Sequence, residues 1–202
     1  MEIGILGTGG VARTLARRWS VAGHQVAFGS RDPSSKGDLG SLVAPIKDVV
    51  ADHDIVVNAT PGSASLELAH GIGATALAGK ILIDVANANT PSFELVYPNS
   101  SLAEKLQAAL PQTHVVKTMN TAAMGVMTDP AALPASSVFV SGDEPGAKVT
   151  VTGLLTDFGW PDGSIVDLGG IQSARGPEHY FLMFAALMLS LHSPQFNIRL
   201  VV

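Results

Sequence analysis

Cysteine is absent from this chain of 202 residues, which excludes disulfides, thiolate metal sites and thiol catalysis and suits a reducing compartment. Charge is sparse as well. Acidic and basic residues together make up 14%, and their balance is −5. A general nucleic-acid binder carries a basic face that this composition does not supply, so no nucleic-acid partner is expected. Long apolar runs are missing too. The greasiest late stretch, YFLMFAALMLSL at 180–191, is too short for a bilayer span and reads as a buried helix. The start, MEIGILGTGG, shows no basic region followed by an apolar run, so no signal peptide is expected. A cytoplasmic protein with no membrane partner is the expectation. Zinc-type His-x-x-x-His pairs and the Gly-x-Ser-x-Gly elbow are also lacking, and no metal site is expected.

What the chain does contain is apolar residues, at 47%, enough for a packed core and too many for disorder. They fall in short runs: IGIL (3–6), QVAF (25–28), DIVVNA (54–59), KILIDVA (80–86), HVVKTM (114–119), SVFVSG (137–142) and SIVDL (164–168). Continuous rather than alternating runs predict strands of a parallel sheet covered on both faces. Helix patterns lie between them. VARTLARRW (11–19) places Val11, Ala12, Leu15, Ala16 and Trp19 on one face. SLAEKLQAAL (101–110) opens with a capping box of Ser101 and Glu104, and Asp143–Trp160 carries Pro145 in its first turn. Strand–helix repetition of this kind predicts an α/β, doubly wound Rossmann sheet over residues 1–170. Residues 171–202 are expected to form a small C-terminal helical extension, mostly one apolar helix, packed on the sheet, on a second subunit, or on both.

The residues IGILGTGGVA carry Gly7-x-Gly9-x-x-Ala12 between the first strand and the first helix. Gly7 permits the tight turn, Gly9 lets the backbone approach a pyrophosphate, and Ala12 keeps helix and strand packed. Free amides of Thr8, Gly9, Gly10 and Val11 then face the phosphates, aided by the positive end of the helix dipole. The residue that reads the adenosine ribose comes about 20 positions later, at the end of the second strand. A carboxylate there would accept from the 2′-hydroxyl of NAD. This chain has Ser30 and Arg31, a hydroxyl donor and a planar cation suited to a 2′-phosphate, with Lys36 within reach. Asp32 is read as initiating the turn with Pro33. NADP(H) is the cofactor these residues favour.

Ligands of such sheets lie outside the carboxyl ends of the strands. Asn58, Ala59, Thr60 and Pro61 would therefore line the path of the pyrophosphate and nicotinamide ribose, and Asp84, Asn87 and Asn89 would sit near the crevice. Lys117, Asn120 and Thr121 would stand on the substrate side. The six histidines are scattered, and no acid–base pair stands out. Hydride transfer between two ring cofactors asks little of such a pair, because the cofactors carry the chemistry. The alternatives are reduction of a small imine or carbonyl, with Lys117 or His179 as proton donor, and a non-catalytic NADPH-binding sensor. A sensor would close the space beside the nicotinamide with side chains.

These stretches, together with GHQVAFGSRDP, VVKTMNT and the closing DLGGIQSARGPEHYFLM, resemble the coenzyme F420-dependent NADP reductase family. They are also similar to the cytosolic reductase domain of membrane ferric reductases, and the likeness covers nearly the whole chain. The resemblance implies that Gly7, Thr8 and Gly9 seat the pyrophosphate and that Ser30 and Arg31 read the 2′-phosphate. It implies coenzyme F420, or a flavin such as FMN or FAD, as second redox partner. It also implies a homodimer built through the extension after Arg175. The segment KTMNTAAMGVM departs from the F420 reductases where the second substrate would bind.

Overall fold

The computed structural model describes residues 1–201. Each apolar run named above becomes a strand: β1 (Glu2–Leu6), β2 (Gln25–Ser30), β4 (Ile55–Asn58), β5 (Ile81–Asp84), β6 (His114–Thr118), β7 (Val138–Ser141) and β8 (Ile165–Asp167). One strand carries no such run. Residues Val43–Pro45 form β3, a three-residue edge strand where proline's missing amide is tolerated. The sheet order is β3-β2-β1-β4-β5-β6-β7-β8, and its first six strands have the doubly wound order. The expectation of a wholly parallel sheet is corrected at one pair, because β6 and β7 run antiparallel. The link between them holds the four-residue helix α6 (Met124–Met127) and one 3-10 turn (Pro130–Ala132), not a full crossover helix.

Helices cover both faces. One face packs α1 (Gly10–Val21) and α7 (Pro145–Thr156) over Ile3, Ile5, Val57, Ile83 and Val116. Trp19 from α1 is fully buried there and stacks on Phe158 with ring centres 4.9 Å apart. Its indole N–H donates to the Leu154 carbonyl at 3.3 Å, so the bulkiest side chain of the core also has its polar atom paired. The other face holds α2 (Ile46–Asp52), α3 (Gly62–Ile72), the one-turn α4 (Ala74–Leu77) and α5 (Leu102–Ala109) over Leu6, Val56, Leu82 and Val115. Ser101 caps α5 as its spacing predicts: its hydroxyl oxygen accepts from the Glu104 amide at 3.1 Å.

The C-terminal region does not stay helical to its end. The helix α8 (Arg175–Leu191) stops at His192, whose backbone turns left-handed at φ 50°. The following segment returns to the sheet, where the Ser137 amide donates to the Ile198 carbonyl at 2.8 Å and the Leu200 amide donates to Ser137 Oγ at 3.0 Å. No helix among the described residues is long and apolar enough to cross a membrane.

Candidate functional site

At the carboxyl ends of the strands two cavities meet. The larger, of about 800 Å³, is floored by the loop from β1 into α1 and walled by the end of β2 and the start of α3. Gly7, Thr8, Gly9, Gly10 and Val11 all border it, as do Ser30, Arg31 and Lys36, and beyond β4 Ala59, Thr60 and Pro61. Two glycines have separate reasons for being glycine. Gly7 turns at φ 109°, and a Cβ there would stand 2.8 Å from the Ala59 carbonyl. A Cβ on Gly9 would meet no protein atom within 4 Å, so its surroundings are open to a ligand.

These residues fit a dinucleotide carrying an extra phosphate. The first turn of α1 holds no acidic side chain, leaving its positive dipole end uncompensated. Arg13 fastens the loop from behind, its Nε donating to the Thr8 carbonyl at 2.8 Å while its other nitrogen pairs with Asp38. Ser30 Oγ accepts from the Asp32 amide at 3.1 Å, which leaves its own O–H to donate. Arg31 is exposed and, among the described residues, makes no side-chain hydrogen bond or ion pair. Asp32 spends its carboxylate on the turn, capping the 3-10 helix Pro33–Ser35 by accepting from Ser34 Oγ and the Ser35 amide, and the Ser34 bond holds its pKa low. The acid nearest the cation is thus committed to its own loop.

The smaller cavity, of about 380 Å³, joins the first at Val11, Thr60 and Pro61. Its wall is largely apolar, with Met124, Met127, Phe181, Phe184 and Met188, and its polar groups are Thr60, Asn87 and Asn120. Among the described residues, none that lines it is ionisable. Asn87 and Asn120 orient each other. Asn87 Nδ2 donates to the Asn120 carbonyl at 2.8 Å, which identifies Asn87 Oδ1 as the acceptor for Asn120 Nδ2 at 2.9 Å. Asn120 Oδ1 is left with no partner from the described residues. Met119, just before it, holds a left-handed φ of 60° while buried, a conformation of the kind that clusters at working sites. Thr121 is buried and borders neither cavity.

Behind this crevice a row of polar residues crosses the sheet in register: Asn58, Asp84, Lys117 and Ser141 on four adjacent strands. Asn58 Oδ1 accepts from the Thr60 hydroxyl at 2.6 Å and Asn58 Nδ2 donates to Asp84 at 2.8 Å. Lys117 pairs with Asp84 at 2.9 Å and with Glu178 at 3.1 Å. Burial opposes its charge, yet the two carboxylates carry its pKa above the ordinary lysine value. Glu178 is shifted upward, chiefly by burial and against the pull of Lys117. Neither proton-donor candidate reaches the cavity. Lys117 is sealed beneath it, and His179 Nε2 lies 3.0 Å from the Ser100 carbonyl on the far side of α8 from the lining residues.

Several site residues carry no signal in the sequence. Ile46, Glu67 and Leu68 border the larger cavity from α2 and α3, and they look like any amphipathic helix positions. Phe181 and Phe184 stand three residues apart on α8, a spacing equally expected of a buried helix.

Similarity to known proteins agrees with this geometry. The family described as "NADP oxidoreductase coenzyme F420-dependent" matches residues 2–88. A solved structure from Arthrobacter sp. FB24, described as a candidate F420-dependent NADP reductase, is 37% identical over 100% of both chains with a TM-score of 0.93. Metalloreductase STEAP3 of Rattus norvegicus is 31% identical over 180 residues, covering 88% of this chain and 36% of that protein. The chain therefore spans about a third of the length of the curated relatives it matches. An imine reductase from Aspergillus terreus, in complex with NADPH4 and dibenz[c,e]azepine, shares the fold at a TM-score of 0.68 and 18% identity, covering 95% of this chain and 62% of that one.

Proposed function

The chain belongs to the coenzyme F420-dependent NADP oxidoreductase family, and on that premise we propose that it passes hydride between NADP(H) and a flat ring acceptor, F420 or a flavin. The observation that carries the reading is the pair of joined cavities. One is sized for a dinucleotide, with an uncommitted arginine where an NAD-type site would present a carboxylate. The other is apolar and opens directly from it.

In this reading Gly7 to Val11 and the start of α1 bind the pyrophosphate, while Ser30, Arg31 and Lys36 bind the 2′-phosphate. Ala59, Thr60, Pro61 and Asn87 border the nicotinamide end, and Asn120 stands on the substrate side with the buried Thr121 behind it. When bound, NADPH supplies the hydride. The side chains of Phe181, Phe184 and Met188 exclude water from the smaller cavity and offer flat apolar surface to a ring. Asn120 Oδ1 presents an acceptor to an N–H of that ring. Reduction of an imine or carbonyl has less support, because such a substrate wants a placed proton donor and none of the described residues lining the smaller cavity is ionisable. A sensor module has less support too, since the smaller cavity beside the proposed nicotinamide end is open.

We further propose that residues 1–170 form the nucleotide-binding domain and 171–202 the extension, that the protein works as a cytoplasmic homodimer, and that its dimer contact is the exposed apolar face of α8. The decisive assay offers F420, FMN and FAD with NADPH and with NADH under identical conditions. Turnover with at least one ring acceptor, preferring NADPH, is expected. Tight NADPH binding without turnover of any acceptor would sink the proposal.

A further inference from the structure

Asp84, Lys117 and Glu178 form a buried charge cluster that hydride transfer does not use. The side chains of Asp84 and Lys117 have no exposure, and that of Glu178 has 5%. Apolar residues of similar volume commonly stabilise a core as well as or better than such a cluster, so stability alone does not account for it. Its contacts show what it joins. Besides the two carboxylates, Lys117 Nζ donates to the carbonyl of Ala86, the residue before Asn87 in the loop after β5. Glu178 lies on α8 one turn before Phe181. Its oxygens also accept from the amides of Leu102 at 2.7 Å and Ala103 at 3.1 Å, in the first turn of α5. Ala86 and Asn87 line the smaller cavity from the sheet, and Phe181 and Phe184 line it from α8.

We propose that Glu178 is a positioning residue for the ring acceptor: through Lys117 it sets α8 against the loop after β5, and so fixes the space between Asn87 and the Phe181–Phe184 surface. This rests on the reading of the smaller cavity as the acceptor site. Two other contacts hold the same end of α8, and they serve as internal controls. Arg175 grips Glu104 in a two-pronged contact at 2.8 and 2.7 Å, and His179 meets the Ser100 carbonyl at 3.0 Å. Both reach only α5 and the segment before it. Glu178 alone of the three residues touches a side chain of the sheet.

The test is ring binding with NADP+ saturating, so that no hydride can pass. Riboflavin serves as probe, titrated by fluorescence, in wild type, Glu178→Gln and Arg175→Ala. Glu178→Gln keeps the size and a carbonyl oxygen but removes the charge facing Lys117. It is expected to weaken riboflavin about tenfold, since small misplacements of a positioning wall are amplified in affinity. NADP+ affinity should stay within about twofold, because apart from Asn87 the residues assigned to it lie on other elements. Arg175→Ala should leave both affinities unchanged although it frees the same helix end. Glu178→Asp keeps the charge on a shorter arm, should fall between wild type and Glu178→Gln, and carries the test if Glu178→Gln does not fold. Unchanged riboflavin binding in the Glu178 variants, or an equal loss of NADP+ and riboflavin, overturns the inference alone. Where wild type binds F420 and no riboflavin, the same comparison is read with F420 as probe; a wild-type protein that binds NADP+ but neither ring overturns both the inference and the acceptor reading.

Discussion

In the proposed site Gly9 and Arg31 divide the work of nucleotide recognition between shape and charge, and each can be tested without disturbing the other. A Cβ on Gly9 touches nothing in the protein, so Gly9→Ala should change folding stability by no more than about 1 kcal/mol, the scale of an N-cap exchange. The same methyl group would occupy space that the pyrophosphate needs, and NADPH affinity should fall more than about tenfold. Isothermal titration beside thermal melting separates the two effects; a parallel loss of both would mean that Gly9 serves the fold. Arg31→Asp should weaken NADPH about a hundredfold, the scale of a charge-assisted phosphate contact replaced by repulsion. NADH should lose little. Equal losses for both nucleotides would contradict the assignment of the 2′-phosphate to Ser30 and Arg31.

Among the elements, α8 shows how pH enters the stability of this molecule. Arg175 holds the Glu104 carboxyl down at about 2, against an ordinary 4.5, through their paired hydrogen bond. A group lowered on folding stabilises the native state above its unfolded pKa, and that stability drains away as pH falls through the folded value. The contribution should therefore be complete above pH 4.5 and vanish toward pH 2. Glu104→Gln should melt lower than wild type at pH 6 and converge on it near the acid end. A constant gap across that window would place the effect elsewhere. Elements also mark how far the sequence could be read. The seven apolar runs were legible as strands because burial on both faces leaves a continuous pattern. The direction of β7 was not, since an apolar run records burial and carries no sense of orientation. Three-residue β3, ending in Pro45, offers too little pattern to read. Ser30 and Arg31 were legible because their place follows from counting along one βαβ unit. Glu178 was not: its amide partners lie 75 and 76 residues away, on an element whose neighbour in space only the fold decides.

For the molecule as a whole, α8 leaves Leu182, Met183 and Leu189 exposed within about a third of its circumference, an apolar strip of the kind that a second copy covers. If the proposed dimer forms there, Met183→Asp with Leu189→Asp should yield a monomer in sedimentation velocity while the isolated fold keeps its melting cooperativity. An unchanged sedimentation coefficient would move the contact to another surface. The two cavities set a further condition on the whole. Val11, Thr60 and Pro61 line both, so in the proposed function donor and acceptor share a wall instead of occupying separate rooms. Direct transfer across that wall requires both ligands to be bound at once. Initial-rate plots at several fixed acceptor concentrations should thus give intersecting lines, the mark of a ternary complex, and parallel lines would mean that hydride waits on the protein between two visits.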